Sequence, residues 1–441
     1  MPSDARTVAF AVVRRVFEQG AYADRALPAE ADRAGLDARD RALATRMAYG
    51  TVQRKGTLDH LLAGLAERPV ARLDPPVLAA ARLGLYQLLW VDGVPDHAAV
   101  AESVDLARGA SGRGAAGLVN AVLRRAAREG PDALLAPLDD SDPAGAAVLH
   151  SVPVWLAERW WRELGPGTAR AVLRAGNEPA ESALRANTLV TSRDALAGAL
   201  DVPAHTDPLL PEALVLDAPF DLRGSPLWDR GAAWPQARAA MAVARVVGPR
   251  PGERVLDLCA APGGKAIHLA ALSGDEAEVV AVEQHEGRAR ALRTTAARLH
   301  ARSVRVDVAD AALPRADGPF DRVLVDPPCS GLGTLSAHPD LRWRMTPERV
   351  DALAALQARI AAAAGAATAP GGVLVYATCT LSAQENEAVI AELTRSNPAF
   401  DTDDLRDDFP SWHHPSVEKH LLTLPPRDRT AGFFIARLRR S

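Results

Sequence analysis

The sequence predicts an α/β protein: a doubly wound, largely parallel sheet, preceded by an all-α bundle and a small α+β segment. Two textures carry this reading. From about residue 236 short aliphatic runs alternate with helical patterns, whereas residues 1–130 show apolar residues at helical spacing and no alternating run. At 441 residues and 48% apolar, the chain is also too long for one ordinary core, so two or three domains are expected.

In the front stretch, Ala9, Val12, Val13, Val16 and Phe17 recur at i, i+3, i+4, i+7 and i+8. Leu58, Leu61, Leu62 and Leu65 repeat the pattern, as do Leu78, Ala81, Leu85, Leu88 and Leu89, and residues 118–128 read as a further helix. Residues 1–130 are therefore expected to form a helical bundle. Gly130, Pro131, Pro137, Asp139, Asp140, Asp142 and Pro143 break the pattern and predict a linker.

A small α+β domain is expected over 145–235. It has a helix at 154–164, a strand at 183–190, a helix at 193–200 capped by Ser192, and a strand at 213–216. The third domain, 236–441, holds VLDLC from 255, EVVAVE from 278, VRV from 304, DRVLVD from 321 and GVLVYATC from 372. Alternation of this kind implies parallel strands crossed by helices, and in such sheets ligands bind beyond the carboxyl ends of the strands.

Bulk charge gives little direction: the net formal charge is -4, and only three lysines occur, Lys55, Lys265 and Lys419. Residues 1–130 carry 18 Lys+Arg against 15 Asp+Glu and the remainder 33 against 40, a weak basic bias in front. The three cysteines, Cys259, Cys329 and Cys379, lie far apart and form no CxxC pair, which argues against a disulfide framework or a zinc ribbon. The opening MPSDARTVAF lacks a signal-peptide core, and no uninterrupted apolar run approaches the roughly 20 residues that cross a bilayer, so a cytoplasmic location without membrane attachment is expected.

Four strand ends carry polar chemistry. The first, Asp257-Leu-Cys-Ala-Ala-Pro-Gly-Gly-Lys265, turns through small residues into a helix near Ala266, where a ligand can press on backbone N–H groups. It is neither a GxGxxG fingerprint nor a P-loop. The second carries Glu283, 19 residues after Gly264, the approximate offset at which doubly wound folds place an acid on a ribose. Asp310 follows the next strand, with Asp307 close enough to compete for an adenine amino group.

The third end is Asp326-Pro-Pro-Cys-Ser-Gly-Leu-Gly333, which holds an acid and a thiol close together. The fourth is Tyr376-Ala-Thr-Cys-Thr380, after which Ser382 and Glu385 form a capping-box pattern for a following helix. A lone cysteine is usually an inert small hydrophobe. Two thiols and a carboxylate at neighbouring strand ends, facing a loop suited to a nucleoside cofactor, are not so easily set aside.

DLCAAPGGK, DPPCSG, HPD (338–340) and YATCT together resemble the RNA cytosine-5 methyltransferases of the Sun, or RsmB, type. Residues 1–130 look like the NusB-type helical RNA-binding domain that precedes the catalytic domain in bacterial small-subunit rRNA enzymes. The resemblance implies a Rossmann-like class I methyltransferase sheet and S-adenosylmethionine as cofactor. It implies cofactor contacts from Cys259, Ala260, Ala261, Pro262, Gly263, Gly264 and Lys265, and from Glu283, Arg288, Asp310 and Asp326. It further implies Cys379 as nucleophile and Cys329 as its catalytic partner, with Asp326 and Lys265 in the catalytic set. The implied partner is RNA, either 16S rRNA or a partly assembled small subunit, with a monomeric enzyme and no metal. Two departures stand out: Pro235-Gln236 where the family often has Gln-Asp, and Ala431-Gly-Phe-Phe434 where it often has Asp-Gly-Phe-Phe.

The chemistry explains the residue types. C5 of cytosine is a poor nucleophile, so a thiolate must first add at C6 to make C5 enamine-like. An acid beside N3 relieves the charge that develops there, and a base must later remove the C5 proton. Lys265 can orient that acid or that base, and a paired target base must leave its stack. Three other readings compete: a tRNA enzyme of the same chemistry, a DNA cytosine methyltransferase with Cys329 as nucleophile, and an RNA-binding assembly factor with a vestigial site.

Overall fold

The structure is a computed structural model that describes residues 3–441. Two compact units emerge: one runs to Pro179 and includes Leu335–Arg344, and the other comprises Ala180–Thr334 and Met345–Ser441.

Described residues up to 130 in the first unit contain helices and no strand. The helices are Asp4–Gln19, Ala23–Ala34, Ala38–Gln53, Lys55–Ala66, Pro75–Trp90 and Asp96–Glu129, the last interrupted at Gly112, where φ is 84°. The apolar positions read from the sequence supply the core, with Val12, Val13, Leu58 and Leu85 fully buried. The expected linker is non-helical only at Gly130 and over residues 136–142. Pro131 and Pro143 begin the short helices Pro131–Leu135 and Pro143–Leu149, because proline at the first helical turn has no N–H to waste. The helix Val154–Leu164 has the bounds expected of it.

Leu335–Arg344, which contains the HPD stretch, belongs to this first unit. Arg342 is completely buried and donates to the carbonyls of Ser151 (3.1 Å), Gly176 (2.7 Å) and Leu335 (3.2 Å) and to Asn177 Oδ1 (2.9 Å). Burial, and then the nearby Arg54 charge, lowers its pKa to about 9, with no carboxylate ion-paired to it among the described residues. Asp340 pairs with Arg344 at 2.5 Å.

The second unit opens with a four-stranded antiparallel sheet of β1 (Ala183–Ala186), β2 (Ala204–Thr206), β3 (Ala213–Leu216) and β4 (Ala233–Pro235), in the order β2-β3-β1-β4. Two expectations shorten here. The strand expected to reach 190 stops at Ala186, because the Asn187 side chain turns to the carbonyls of Gly231 and Leu299 (2.9 and 2.8 Å). The helix capped by Ser192, whose Oγ accepts from Ala195 N–H at 3.1 Å, ends at Ala197 and not at 200.

The large sheet contains β5 (Arg254–Leu258), β6 (Glu278–Glu283), β7 (Val304–Val308), β8 (Phe320–Val325), β9 (Thr368–Thr378), β10 (Phe400–Thr402), β11 (Leu421–Leu422) and β12 (Phe434–Arg440). Its order is β10-β12-β9-β8-β5-β6-β7, with β11 pairing β12. β5 through β9 run parallel and β12 is antiparallel to β9, so the Rossmann-like class I methyltransferase architecture is present with an antiparallel extension on one side. The central strands are aliphatic and buried on both faces, as parallel strands under two helical layers must be.

The helix Pro347–Ala367 is long and apolar enough by length and composition to cross a membrane, with a mean hydropathy of 1.2. It buries Val350, Gln357, Ile360, Ala361 and Ala364 and packs on β8 and β9 as a core helix. The capping box expected at Ser382 and Glu385 does not form. The next helix, Glu387–Ser396, begins two residues later, and the Glu385 carboxylate turns inward to other donors.

Candidate active site

All of the candidate residues lie in the second unit, at the carboxyl ends of β5 to β9. After β5 the chain takes a left-handed step at Cys259 (φ 66°), and Ala260 N–H donates to Val282 O of β6 at 2.8 Å. The loop then enters the helix Gly264–Leu272, whose first-turn N–H groups have no intrahelical acceptor. Gly264 is required by its surroundings, since a Cβ there would lie 2.9 Å from Trp234 Nε1.

Arg185 and Gln236 support this loop from outside the motif. Arg185 is fully buried on β1 and donates to Gly264 O at 2.5 Å and to Gln236 Oε1 at 2.7 Å. Gln236, itself one of the two residues that depart from the family pattern, thus has a structural task. Arg185 was missed by sequence reasoning, although an arginine inside an expected strand between apolar neighbours was the available signal.

Glu283 ends β6 and is buried. Its Oε1 accepts from His285 N–H at 2.9 Å, and its Oε2 faces Arg288 Nη1 at 3.5 Å, while Arg288 Nη2 donates to Ala261 O at 2.8 Å. The two acids beyond β7 differ sharply. Asp307 is taken up by Arg305 and Arg315, both at 2.7 Å, whereas Asp310 accepts only a local bond, from Ala312 N–H at 2.9 Å, among the described residues.

Lys265 Nζ donates to Asp326 Oδ2 at 2.6 Å and lies 5.5 Å from the centre of the Phe433 ring. Burial opposes its charge, but the adjacent Asp326 carboxylate leaves its pKa raised above the usual lysine value. Beneath this pair Asp257 is fully buried with neither carboxylate oxygen hydrogen-bonded, and desolvation, followed by the Asp326 charge, raises its pKa to about 8. Cys259 is pushed up to about 12, chiefly by burial and then by the same acids, and is an unreactive thiol at neutral pH.

Cys329, beyond β8, and Cys379, beyond β9, place their sulfur atoms 3.3 Å apart. The hydrogen bond its S–H gives to Cys379 and then burial hold the Cys329 pKa well above the ordinary thiol value. The backbone fixes Cys379 as well, since its carbonyl accepts from Gly333 N–H at 3.0 Å. Gly333 in turn lies back to back with Gly432, where a Cβ on Gly333 would fall 2.0 Å from Gly432 O.

Between the two thiol loops lies Glu385, fully buried and read from sequence only as part of a helix cap. Its Oε1 accepts from Ser330 N–H (2.8 Å) and Gln357 Nε2 (3.0 Å), and its Oε2 accepts from Ser330 Oγ (2.5 Å). Thr380 Oγ1 is 2.7 Å from Ser330 Oγ, and Gln357 Nε2 also reaches Pro328 O at 2.9 Å.

Similarity to known proteins agrees with this geometry. Residues 244–439 match the family described as 16S rRNA methyltransferase RsmB/F, residues 3–128 match the NusB family, and residues 152–223 match an RsmF/B-like ferredoxin-like domain. A ribosomal RNA small subunit methyltransferase B from Thermus thermophilus is 36% identical, covering 99% of this chain and 97% of its own length. The Cronobacter sakazakii protein of the same name is 32% identical over 98% of each chain. The solved structure of PH0851 superposes with a TM-score of 0.84 and 25% identity, covering 99% of both chains.

Proposed function

Because this chain belongs to the RsmB/F family of 16S rRNA methyltransferases, we propose that Cys379 opens its reaction by adding to C6 of a cytosine in 16S rRNA and that Cys329 serves the release of the product. The enzyme transfers a methyl group from S-adenosylmethionine to C5 of cytosine in RNA. The observation that supports a reaction shared by two thiols is their 3.3 Å approach at adjacent strand ends, and the order of their roles rests on the family resemblance.

S-adenosylmethionine supplies an electrophilic methyl group when bound. The loop 259–265 fits it: small residues and a side-chain-free Gly264 leave backbone N–H groups open at a helix start. Glu283 would hold the ribose, with Arg288 bracing the loop at Ala261 O. Asp310 rather than Asp307 would meet the adenine, because Asp307 is spent on two arginines.

Addition of the Cys379 sulfur to C6 breaks the C5–C6 double bond and makes C5 nucleophilic. Asp326, held by Lys265, would be the acid that meets the charge building toward N3, through a proton or hydrogen bond it supplies there. Cys329 keeps its proton while Cys379 is free. Once the Cys379 sulfur is bonded to carbon, Cys329 would stand beside the adduct, placed to assist removal of the C5 proton. Loss of that proton restores the C5–C6 double bond and expels the Cys379 thiolate.

In the front helices a cleft of about 600 Å³ is lined by Asp96, His97, Arg108, Asn120, Arg124 and Arg128, among others. Its cationic side chains support backbone-phosphate contacts by this region.

Denaturing gels of single-cysteine variants with RNA and cofactor test the thiol roles. Cys379→Ala should form no covalent link to RNA, whereas Cys329→Ala should accumulate one. The reverse pattern would exchange the two roles.

A further inference from the structure

Resting on the thiol assignment above, we propose that Glu385 is the positioning residue of the reaction, its carboxylate clamping the Cys329 loop onto the Cys379 loop so that the releasing thiol meets the adduct. Three observations carry this. Glu385 is completely buried, yet among the described residues no cation pairs with it: Ser330 N–H, Ser330 Oγ and Gln357 Nε2 are its close donors, with Thr380 Oγ1 at 3.4 Å from Oε2. Two of those bonds come from Ser330, the residue following Cys329, so they fix the backbone that carries the thiol.

Glu385 also has a tie to the other loop. Ser330 Oγ has one proton and gives it to Glu385, so the 2.7 Å bond to Thr380 must be donated by the Thr380 hydroxyl, and Thr380 follows Cys379. Asn386 reinforces the second loop by donating to Thr380 O at 3.0 Å and accepting from Thr378 Oγ1 at 2.5 Å. The residues adjoining both thiols are thereby joined through one carboxylate, which touches neither sulfur. Gln357 extends the clamp to Pro328 O, on the other side of Cys329.

A helix cap would have been served by Glu385 in solvent at little cost. Withdrawing a carboxylate completely from water costs several kcal/mol unless its acceptor sites are filled, and filling them at two loops rather than one turns that burial into alignment. Removing the acceptor should release Cys329 without touching Cys379. Addition survives and resolution fails.

The test uses the full-length enzyme with Glu385→Ala, Glu385→Gln and Ser330→Ala, compared with the parent and the two single-cysteine variants. The first readout needs no RNA. Diamide takes two electrons and two protons from the thiol pair to become the hydrazine, leaving a Cys329–Cys379 disulfide that peptide mass spectrometry identifies. Glu385→Ala and Ser330→Ala should close this disulfide at least tenfold more slowly than the parent. Glu385→Gln retains one acceptor oxygen and offers an amide to two hydroxyls that can accept, and should stay within threefold.

The second readout is adduct lifetime with RNA and S-adenosylmethionine, which should lengthen at least tenfold in Glu385→Ala and Ser330→Ala. Parental closure rates and adduct lifetimes in both variants would overturn the proposal. Affinity for S-adenosylhomocysteine reports folding, and if Glu385→Ala has lost it, Ser330→Ala decides alone. An adduct formed by Cys379→Ala would instead defeat the thiol assignment, while the diamide rates still decide whether Glu385 sets the alignment.

Discussion

Replacing Glu283 by alanine isolates the proposed ribose contact. In the free enzyme its Oε1 is already engaged by His285 N–H at 2.9 Å, and its Oε2 has only the 3.5 Å approach of Arg288. Cofactor binding therefore gains chiefly at Oε2, one charge-assisted hydrogen bond replacing a long ion contact that gives little. Such a bond contributes about 1.5–3 kcal/mol, or roughly tenfold to a hundredfold in affinity. Calorimetry with S-adenosylhomocysteine should show that weakening in Glu283→Ala, while RNA affinity measured by filter binding stays within threefold of the parent. The His285 N–H left behind can turn to water, so the thermal midpoint should fall only slightly. A cofactor Kd within threefold of the parent, in a variant that remains folded, would refute the assignment.

Two further outcomes follow from the same loops. Asp257 titrates at about 8 when folded and near 3.9 when unfolded, so between about pH 4 and pH 8 the folded state holds the extra proton and stability falls as pH rises. Asp257→Asn should remove that decline, and urea unfolding at pH 5 and pH 8 should show its stability relative to the parent increasing with pH; a constant difference would count against a buried neutral Asp257. Gly333→Ala forces the Cys329 loop away from Gly432 O. Misplacement of about 1 Å costs on the order of a hundredfold in rate, so methylation should fall by about that factor with S-adenosylhomocysteine affinity unchanged, and parental turnover would show that the close approach is dispensable.

Where the sequence was legible, local pattern and tertiary environment agreed. EVVAVE is β6 from end to end because an aliphatic run bounded by polar residues has few alternatives to a buried parallel strand. The loop after β5 was readable because its small residues serve one purpose, bringing backbone close to a ligand. Glu385 shows the opposite case. Its spacing from Ser382 satisfies a local rule, but donors from residues 28 and 55 positions away outcompete the helix end, and sequence-local reasoning has no access to them. Pro131 and Pro143 lie either side of the non-helical residues 136–142 yet each begins a helix, because proline stops a helix from within and also starts one from the first turn. The β10–β12 extension escaped notice because its strands are short or, like the cationic Arg437, Arg439 and Arg440 of β12, resemble a solvated segment.

That extension has a consequence for any attempt to shorten the protein. β12 occupies the place between β10 and β9, and β9 is the strand that delivers Cys379. A chain cut before Phe434 would retain both thiols, the cofactor loop and every proposed ligand. It would also bare one whole edge of an aliphatic strand, a template for pairing with a second copy. Such a fragment would be lost to intermolecular strand pairing before its chemistry could be tried, so the smallest workable catalytic unit must extend through β12, in which no proposed catalytic residue lies.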